Sequence, residues 1–400
     1  MLFRNLFFIA GLTLLGLSGA PLQAAADNAV RIGVLTDMSG GMASASGLGS
    51  VEAAQLAVED LGSSVNGKPV VVINADFQNR GDLAQHISES WINKQGVDVV
   101  VDVPNGPIAA RLQDYFKEQK KILLTSSPSS TRFRDASCHG NSLSWLYDRD
   151  TLTHNLIQAL VDEKKKRWFI IKSNDGYSND LAKVAKKRIT DSGAELVGEA
   201  QFGRRMSGLP IILEQAGAVN AEVVFLAFDR PDVLHLLNHW PLNKDQGSIP
   251  VAFTALSLCD VHGLGVKAIP SLYTISPFYW NQDNVTRDWS NKFAARNRGA
   301  MPTDIQASVY SSVRHFLQSL KASQTDTATD VLSRMKITAL DDPLFGPSHI
   351  RSDGLVAHRL LLLSSLKENE RSKAWDVYKI VRTVNAQNVI LPTQTICKKE

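Results

Sequence analysis

The sequence predicts an α/β fold of two doubly wound parallel-sheet units behind an export signal. Short Val- and Ile-rich runs alternate with amphipathic segments along most of the chain, as in parallel strands covered by helices on both faces. This alternation starts afresh near the middle of the sequence. A chain of 400 residues is also too long for one hydrophobic core. Two domains are therefore expected.

The N-terminal segment has the pattern of a secretory signal. Arg4 precedes an apolar run over residues 6–17, and small residues then lead to Ala24, Ala25 and Ala26. The apolar run is short for a membrane span, although an uncleaved anchor is the alternative interpretation. We predict a signal peptide over residues 1–25, with the cleavage position among the three alanines left open.

The first α/β unit is predicted directly after the signal. Its helices are expected from about Ser50 and over residues 83–94 and 108–119. The first helix carries an apolar stripe at helical spacing, formed by Val51, Ala54, Val58 and Leu61. Its strands, including a buried one at 70–75, are expected at residues 31–36, 70–75, 97–103 and 122–125.

A second α/β unit follows with the same rhythm. Helices are predicted over residues 180–192 and 232–239, and a long helix over 305–320. Strands are predicted at residues 168–171, 223–227, 250–254, 272–276, 360–364 and 376–381. Ligands of such sheets bind outside the carboxyl ends of the strands, so a crevice between the two units is the expected binding site.

Charge and motifs argue against several function classes. The 43 basic and 40 acidic residues give a net charge of +3, too small to indicate binding to nucleic acid or a membrane surface. Gly47 and Gly49 precede a helix, but Glu52 stands where a dinucleotide-binding fingerprint needs its third glycine. Hydrolase motifs are missing, and His235 and His239 lack an adjacent acid or third ligand. We predict no cofactor, metal or catalytic residue.

Two polar loops follow neighbouring strands of the first unit. One contains Asn105 and Gly106, and the other contains Pro128, Ser129 and Ser130. Hydroxyl and backbone N–H groups at strand-to-helix turns can bind a carboxylate without a charged partner. Serine capping of helices is the alternative, but two such loops side by side favour a ligand site.

Aromatic residues cluster where the chain is expected to pass between the units. Trp145 and Tyr147 lie at the end of the first unit, and residues 278–280 (Phe-Tyr-Trp) follow a strand of the second. Such clusters are often core, but at a domain boundary they can form the walls of an apolar pocket.

Several of these stretches also resemble a known family. They are 31–40 (RIGVLTDMSG), 50–60 (SVEAAQLAVED), 145–148 (WLYD), 260–262 (DVH), 278–280 (FYW), and Pro302-Thr303 leading to 306–310 (QASVY). The sequence resembles the type I periplasmic binding proteins of the branched-chain amino-acid (Leu/Ile/Val-binding) class of ABC transporters. Within that class it is most similar to the branch for aromatic acids and amides.

The resemblance implies two doubly wound parallel-sheet lobes joined by a three-strand hinge. Lobe 1 would comprise residues 26–147 and 277–358, and lobe 2 residues 148–276 and 359–400. The carboxylate would bind at Pro128, Ser129 and Ser130, with Asn105 and Gly106 nearby. Contacts from lobe 2 would come from Asp175, Phe228 and Asp260, and Tyr147 is the aromatic residue already expected at the pocket wall.

The chain departs from the family pattern at the opening of lobe 2. Asp175 replaces a common tyrosine, Ser178 replaces a glycine, and Phe228 stands where a small or amide residue is common. Asp175 or Asp260 could pair with a ligand amino group, whereas Phe228 favours a ring or hydrocarbon. The ligand is therefore expected to be an amino acid, an aromatic carboxylate or an amide.

The implied function is that of a periplasmic, monomeric solute-binding component that delivers its ligand to an inner-membrane ABC permease. The alternatives are presentation of the ligand to a sensor or chemoreceptor, and an exported hydrolase. Spacing alone selects no pair among Cys138, Cys259 and Cys397. The resemblance implies a Cys138–Cys397 disulfide, which would leave Cys259 free.

Overall fold

A computed structural model describes residues 29–126, 140–203, 208–240, 249–254, 256–265, 271–323 and 325–391. The predicted signal peptide, the loop residues Pro128, Ser129 and Ser130, and both members of the predicted Cys138–Cys397 disulfide lie outside these ranges. None of the helices in the described ranges is both long and apolar enough to cross a bilayer.

Lobe 1 is built on a six-stranded sheet in the order β2-β3-β1-β4-β5-β6. All neighbouring strands are parallel except β2 and β3, which form an antiparallel pair. The strands are β1 (Val30–Thr36), β2 (Ser64–Val65), β3 (Lys68–Asp76), β4 (Val99–Asp102), β5 (Ile122–Thr125) and β6 (Ser142–Ser144). Helices α1 (Gly47–Asp60), α2 (Gly81–Gln95) and α3 (Gly106–Glu118) connect the parallel strands.

Lobe 2 is built on a seven-stranded sheet. Its parallel strands are β7 (Arg167–Lys172), β8 (Glu195–Gln201), β9 (Val223–Ala227), β10 (Val251–Ala252) and β11 (Leu272–Ser276). They are connected by α5 (Gly176–Asp191), α6 (Leu209–Ala218), α7 (Arg230–Asn238) and α8 (Leu258–Leu264), after an entry helix α4 (Arg149–Asp162).

The chain then adds α9 (Asn284–Arg296), α10 (Asp304–Ser323) and α11 (Ala328–Ile337), with α10 packed against α1 of lobe 1. A small antiparallel sheet contains β12 (Leu340–Asp342), β13 (Gly346–Ile350) and β14 (Val356–Ala357). Strands β15 (Leu360–Ser365) and β16 (Tyr378–Val384) complete the second sheet as an antiparallel edge. Its full order is β16-β15-β11-β10-β9-β7-β8.

The predicted fold class of two parallel-sheet lobes is confirmed, and the structure corrects one detail of burial. The strand expected to be buried at 70–75 alternates between half-buried and exposed residues in β3, and Val71 is 40% exposed. Only the two-residue β2 separates this strand from the sheet edge, so one continuous buried run cannot form there.

Some elements were not predicted, and the reasons are local. Strand β8 (sequence ELVGEAQ) lies at the open edge of the second sheet and carries no apolar run. Helix α9 was also not predicted, although Asp283 and Thr286 form a reciprocal capping box at its N-terminus. The small sheet of β12 to β14 is too short to leave a periodic signal.

The chain passes between the lobes three times: after β6, after β11 and between β14 and β15. His358 ties the first and third passages together. The Tyr147 hydroxyl donates to the His358 carbonyl at 2.5 Å and accepts from its backbone N–H at 2.7 Å. The buried His358 ring also contacts the Trp145 carbonyl through Nε2 at 2.9 Å. These bonds make the junction a defined structural unit.

Candidate functional site

Each sheet has one pair of adjacent strands from which the connections to the next strands run toward opposite edges of the sheet. In lobe 1 this pair is β1 and β4, and in lobe 2 it is β7 and β9. Crevices outside the carboxyl ends of such strand pairs are the usual ligand sites of open α/β sheets. Of the predicted site residues, Asn105 and Gly106 follow β4, Asp175 follows β7, and Phe228 follows β9 directly.

On lobe 2, Asp175 and Phe228 line a common cavity of about 330 Å³. Asp175 caps the N-terminus of α5: its Oδ1 accepts the Ser178 N–H at 2.8 Å, and its Oδ2 accepts the Ser178 hydroxyl at 2.9 Å. Hydrogen bonds, that from the Ser173 hydroxyl foremost, hold the pKa of Asp175 below its usual value. Asp175 and Ser178, two departures from the family pattern, are thus hydrogen-bonded partners, and Asp175 is a charged group in the crevice.

On lobe 1, Asn105 caps α3. Its Oδ1 accepts the Ile108 N–H at 3.1 Å, and its Nδ2 donates to Asn79 Oδ1 at 2.7 Å. Gly106 is the first residue of the helix and is buried. Both the oxygen and the nitrogen of the Asn105 side-chain amide are therefore already hydrogen-bonded within the protein. A ligand that contacts this amide would have to share those atoms with Asn79 and Ile108.

A buried carboxyl group lies beneath this loop at the end of β4. Asp102 is fully buried and adopts a left-handed φ of 81°, and Val103 follows with a φ of 50°. Neither Asp102 carboxyl oxygen has a well-formed hydrogen bond. Burial raises its pKa to about 7, although the hydroxyls of Thr36, Ser50 and Ser126 act in the opposite direction. Strained backbone and perturbed carboxyl groups are common at functional sites, and both occur at the edge of this crevice.

Where the lobes meet, a second cavity of about 90 Å³ is lined by residues from both. Phe278, Tyr279 and Trp280, the aromatic run predicted as a pocket wall, all border it. The remaining lining residues are Met42, Ala45, Leu152, Arg230, Thr254, Leu256, Ser257, Leu258, Thr274, Ile275, Ser276, Pro302, Asp304, Ile305, Leu363 and Tyr378. We call this space the interlobe cavity.

The loop that brings Met42 to the interlobe cavity is held by two carboxylates. Asp37 accepts the backbone N–H groups of Gly40 at 2.7 Å and Met42 at 3.0 Å. Asp76, at the end of the neighbouring β3, accepts the Met38 N–H at 3.0 Å and the Ser39 hydroxyl at 2.6 Å. One wall of the cavity is therefore preorganised.

Arg230 is a site residue that was not predicted from the sequence. Its Nε and Nη2 donate to the two oxygens of the buried Asp260 carboxylate at 2.8 and 2.5 Å. Ser257 donates its N–H to the same carboxylate at 2.8 Å. A ligand amino group would therefore have to displace Arg230 before it could pair with Asp260.

Two hydrogen bonds join the loop after β1 of lobe 1 directly to lobe 2. Arg230 Nη1 donates to the Gly41 carbonyl, and the free Cys259 thiol donates to the Ser44 carbonyl at 3.2 Å. Both acceptors belong to the loop after β1 of lobe 1, and both donors belong to lobe 2. The structure therefore represents a conformation in which the two lobes are in contact.

Comparison with known proteins identifies the family. The model of a periplasmic binding protein family matches residues 29–369. The chain belongs to this periplasmic binding protein family. The sequence has no match among the curated proteins. Members of the family bind small molecules in the periplasm and work with ABC permeases.

Solved structures of similar proteins support the assignment. A branched-chain amino-acid ABC transporter ligand-binding protein from Burkholderia xenovorans is 27% identical, with a TM-score of 0.84 over 91% of this chain and 97% of that chain. A periplasmic binding protein from Burkholderia mallei is also 27% identical, with a TM-score of 0.79 over 92% and 98%. A Rhodopseudomonas palustris solute-binding protein in complex with benzoate shares the fold at 15% identity, with a TM-score of 0.73 over 93% and 100%.

The surroundings of four other residues of this binding protein are also defined. Tyr147 is 1% exposed, its hydroxyl is hydrogen-bonded to His358, and it borders neither of the two cavities described above. Gly49 lies where α1 approaches α10: a Cβ there would be 2.2 Å from Gln306 Nε2. His235 on α7 and His239, the residue that follows this helix, have ring centroids 4.6 Å apart. No group of three or more potential metal ligands occurs within the part of the chain that the structure describes.

Proposed function

We propose that this periplasmic binding protein captures a small organic acid or amide with an apolar body and delivers it to an inner-membrane ABC permease. The protein acts as a monomer and performs no chemistry on its ligand. The observation that carries this proposal is the interlobe cavity, whose walls come from both lobes and are mostly aromatic or aliphatic. Few polar groups in an apolar pocket are typical of small-molecule sites.

The charges around the cavity favour such a ligand over a zwitterionic amino acid. Arg230 neutralises Asp260 through two hydrogen bonds, so the pair presents little net charge. Asp175, in the lobe 2 cavity, has no basic partner within the described residues. Asp304 is the other acid at the interlobe cavity, and burial raises the pKa of its carboxyl group, which disfavours the charge that an ammonium group would need. Phe228 beside Asp175 favours a ring or hydrocarbon.

We further propose that the ligand carboxylate binds at Pro128, Ser129 and Ser130, near Asn105 and Gly106. In this proposal lobe 1 comprises residues 26–147 and 277–358, and lobe 2 comprises 148–276 and 359–400. Lobe 2 rotates toward lobe 1 and buries the ligand, and the permease binds the closed form. Several hydrogen bonds must replace the water of the buried carboxylate, because leaving it unpaired is costly.

A binding screen tests this function. Benzoate, benzamide, branched-chain amino acids and short aliphatic acids would be compared by thermal shift and calorimetry, and compaction by small-angle scattering. We expect an acid or amide to bind, raise the melting temperature and reduce the radius of gyration. Binding restricted to amino acids would contradict the ligand class, and binding without compaction would contradict the closure mechanism. Benzoate belongs in the panel because one structural neighbour holds it.

The carboxylate loop has its own test. Changing Ser129 and Ser130 together to Ala should weaken carboxylate binding by about 1–3 kcal/mol for each buried hydrogen bond that the ligand no longer makes. The exposed Ser333 on α11 provides a matched Ser→Ala control. An unchanged dissociation constant in the double variant would remove these serines from the site.

A further inference from the structure

We propose that a cavity of lobe 1, at the opposite end of its sheet from the ligand crevice, binds a small phosphate-type dianion, either inorganic phosphate or a phosphate monoester. We call this space the basal cavity. It has a volume of about 320 Å³ and is bordered by the first residues of β1 and β5. The crevice lies at the carboxyl ends of the same sheet, roughly 20 Å away along the seven residues of β1. This site is therefore separate from the solute site proposed above.

Basic side chains outnumber acidic ones in the lining of the basal cavity. Four basic and two acidic residues border it, which gives a formal charge of +2: Arg31, Lys68, Lys120, Lys121, Asp98 and Asp326. The whole chain carries only +3 over 400 residues. Positive charge is thus concentrated in this cavity, and the local field favours an anion.

The two acids of the basal cavity are already paired, so they oppose an anion only weakly. Lys68 Nζ lies 3.0 Å from Asp326 Oδ2, and Lys121 Nζ lies 3.8 Å from Asp98 Oδ1. Asp98 also accepts the backbone N–H of Arg31 at 2.9 Å, and burial raises the pKa of its carboxyl group. Both carboxyl groups are therefore largely neutralised by the lysines and by burial.

The other two cations, Arg31 and Lys120, have no acidic partner within the described ranges. The hydrogen bond of the half-buried Arg31 guanidinium is a long one, from Nη1 to the Ala29 carbonyl at 3.5 Å, and the exposed Lys120 ammonium makes no ion pair there. A guanidinium presents parallel N–H donors that fit two phosphate oxygens, and an ammonium adds a point charge. Two cations without acidic partners match the two charges of a phosphate dianion.

The floor of the basal cavity is apolar and leaves space beside the phosphate group. The buried side chains of Ile122, Phe316, Leu320 and Val331 border it. Its volume of about 320 Å³ equals that of about ten water molecules at roughly 30 Å³ each, which is more than an oxyanion needs. The small organic group of a monoester can therefore pack on this floor while the phosphate meets Arg31 and Lys120.

Calorimetry on the full mature protein tests the site, with inorganic phosphate, phenyl phosphate and chloride compared at constant ionic strength. We expect saturable binding of one phosphate per chain and no saturable binding of chloride. Changing Arg31 and Lys120 together to Gln should weaken phosphate binding about 10- to 100-fold, because charge-assisted hydrogen bonds are lost. Tighter binding of phenyl phosphate than of phosphate would identify a monoester as the ligand, and equal or weaker binding would identify inorganic phosphate.

Lys292→Gln together with Arg298→Gln is the matched control. It removes the same two charges from exposed positions on α9 and just after it, outside the basal cavity. Thermal melts without phosphate verify that both double variants fold, and Lys120→Gln alone, at an exposed position, gives a smaller loss in the same direction. Absence of saturable phosphate binding by the wild type, or equal losses in the two double variants, would overturn the proposal. Neither result would affect solute binding in the crevice, which the binding screen measures separately.

Discussion

Asp102 connects local backbone geometry with the ligand crevice of lobe 1. The run Val99–Asp102 is buried throughout, so its terminal carboxyl group is enclosed by the sheet and by α1. Its backbone is left-handed, and it pairs with Leu35 of β1 at the point where the connections of the sheet diverge. Burial favours the protonated form of this carboxyl group, so its ionisation lowers the free energy of unfolding.

The pKa of Asp102 predicts a pH dependence of stability. Because its pKa is about 7 in the folded protein and near 3.8 when unfolded, the folded state binds the extra proton. The stabilisation is complete below the unfolded pKa and is lost as pH rises toward 7, by about 1.4 kcal/mol per unit. Asp102→Asn should therefore stabilise the protein at pH 7.5 and have much less effect at pH 5.

Urea unfolding at these two pH values measures the effect. The exposed Asp288 on α9 provides a control, and Asp288→Asn should change the free energy of unfolding little at either pH. A parallel shift of both pH points by Asp102→Asn would show that this carboxyl group does not titrate in the folded protein.

Helices α1 and α10 set one side of the interlobe cavity through their N-terminal ends. Gln306 Nε2 donates to the Ser46 carbonyl at 3.0 Å, and its Oε1 accepts the Thr303 N–H at 3.0 Å. The two helix starts are thereby joined, and Ala45 and Asp304 beside them line the cavity. Only a glycine at position 49 permits this approach.

Gly49→Ala should therefore disturb both stability and the cavity. The added Cβ would be 2.2 Å from Gln306 Nε2 and 3.2 Å from Phe293 Cζ, so the glutamine must move. We expect a loss of about 1–3 kcal/mol in the free energy of unfolding, measured by urea titration. Gly217→Ala in α6 is the control, since its Cβ meets nothing within 4 Å and should be neutral or slightly stabilising. Equal effects of the two substitutions would contradict this packing role.

At the scale of the whole molecule, the two lobes are held together by groups that also border the ligand space. Arg230 contacts Asp260 within lobe 2 and the Gly41 carbonyl of lobe 1. The Cys259 thiol adds a second bond to the same loop. These interlobe bonds exist only while the lobes touch, so they favour the closed conformation.

Removing the Arg230 bond to lobe 1 should shift the protein toward the open state. Changing Arg230 to Gln and Asp260 to Asn together avoids leaving a buried carboxylate unpaired. We expect about a 10-fold weaker ligand affinity, mainly through faster dissociation, and a larger radius of gyration in the bound state. Arg296→Gln is the control, because Arg296 pairs with Glu52 and Glu59 of the neighbouring α1 in the same lobe. Unchanged dissociation kinetics in the double variant would exclude a role in closure.

The sequence by itself determined the fold class, because strand and helix periodicities are local. Continuous apolar runs such as residues 122–125 and 223–227 became buried strands with the predicted bounds. Predicting polar loops at the carboxyl ends of strands also required only sequence order and the general geometry of such sheets. Asp175 and Phe228, which the family resemblance implied, meet in one cavity.

The tertiary structure alone decided which groups are already paired. Asp260 looked available for a ligand until Arg230, 30 positions away, was found to occupy both of its oxygens. Periodicity records which face of an element is buried, but the pairing of polar groups depends on contacts between residues far apart in the chain.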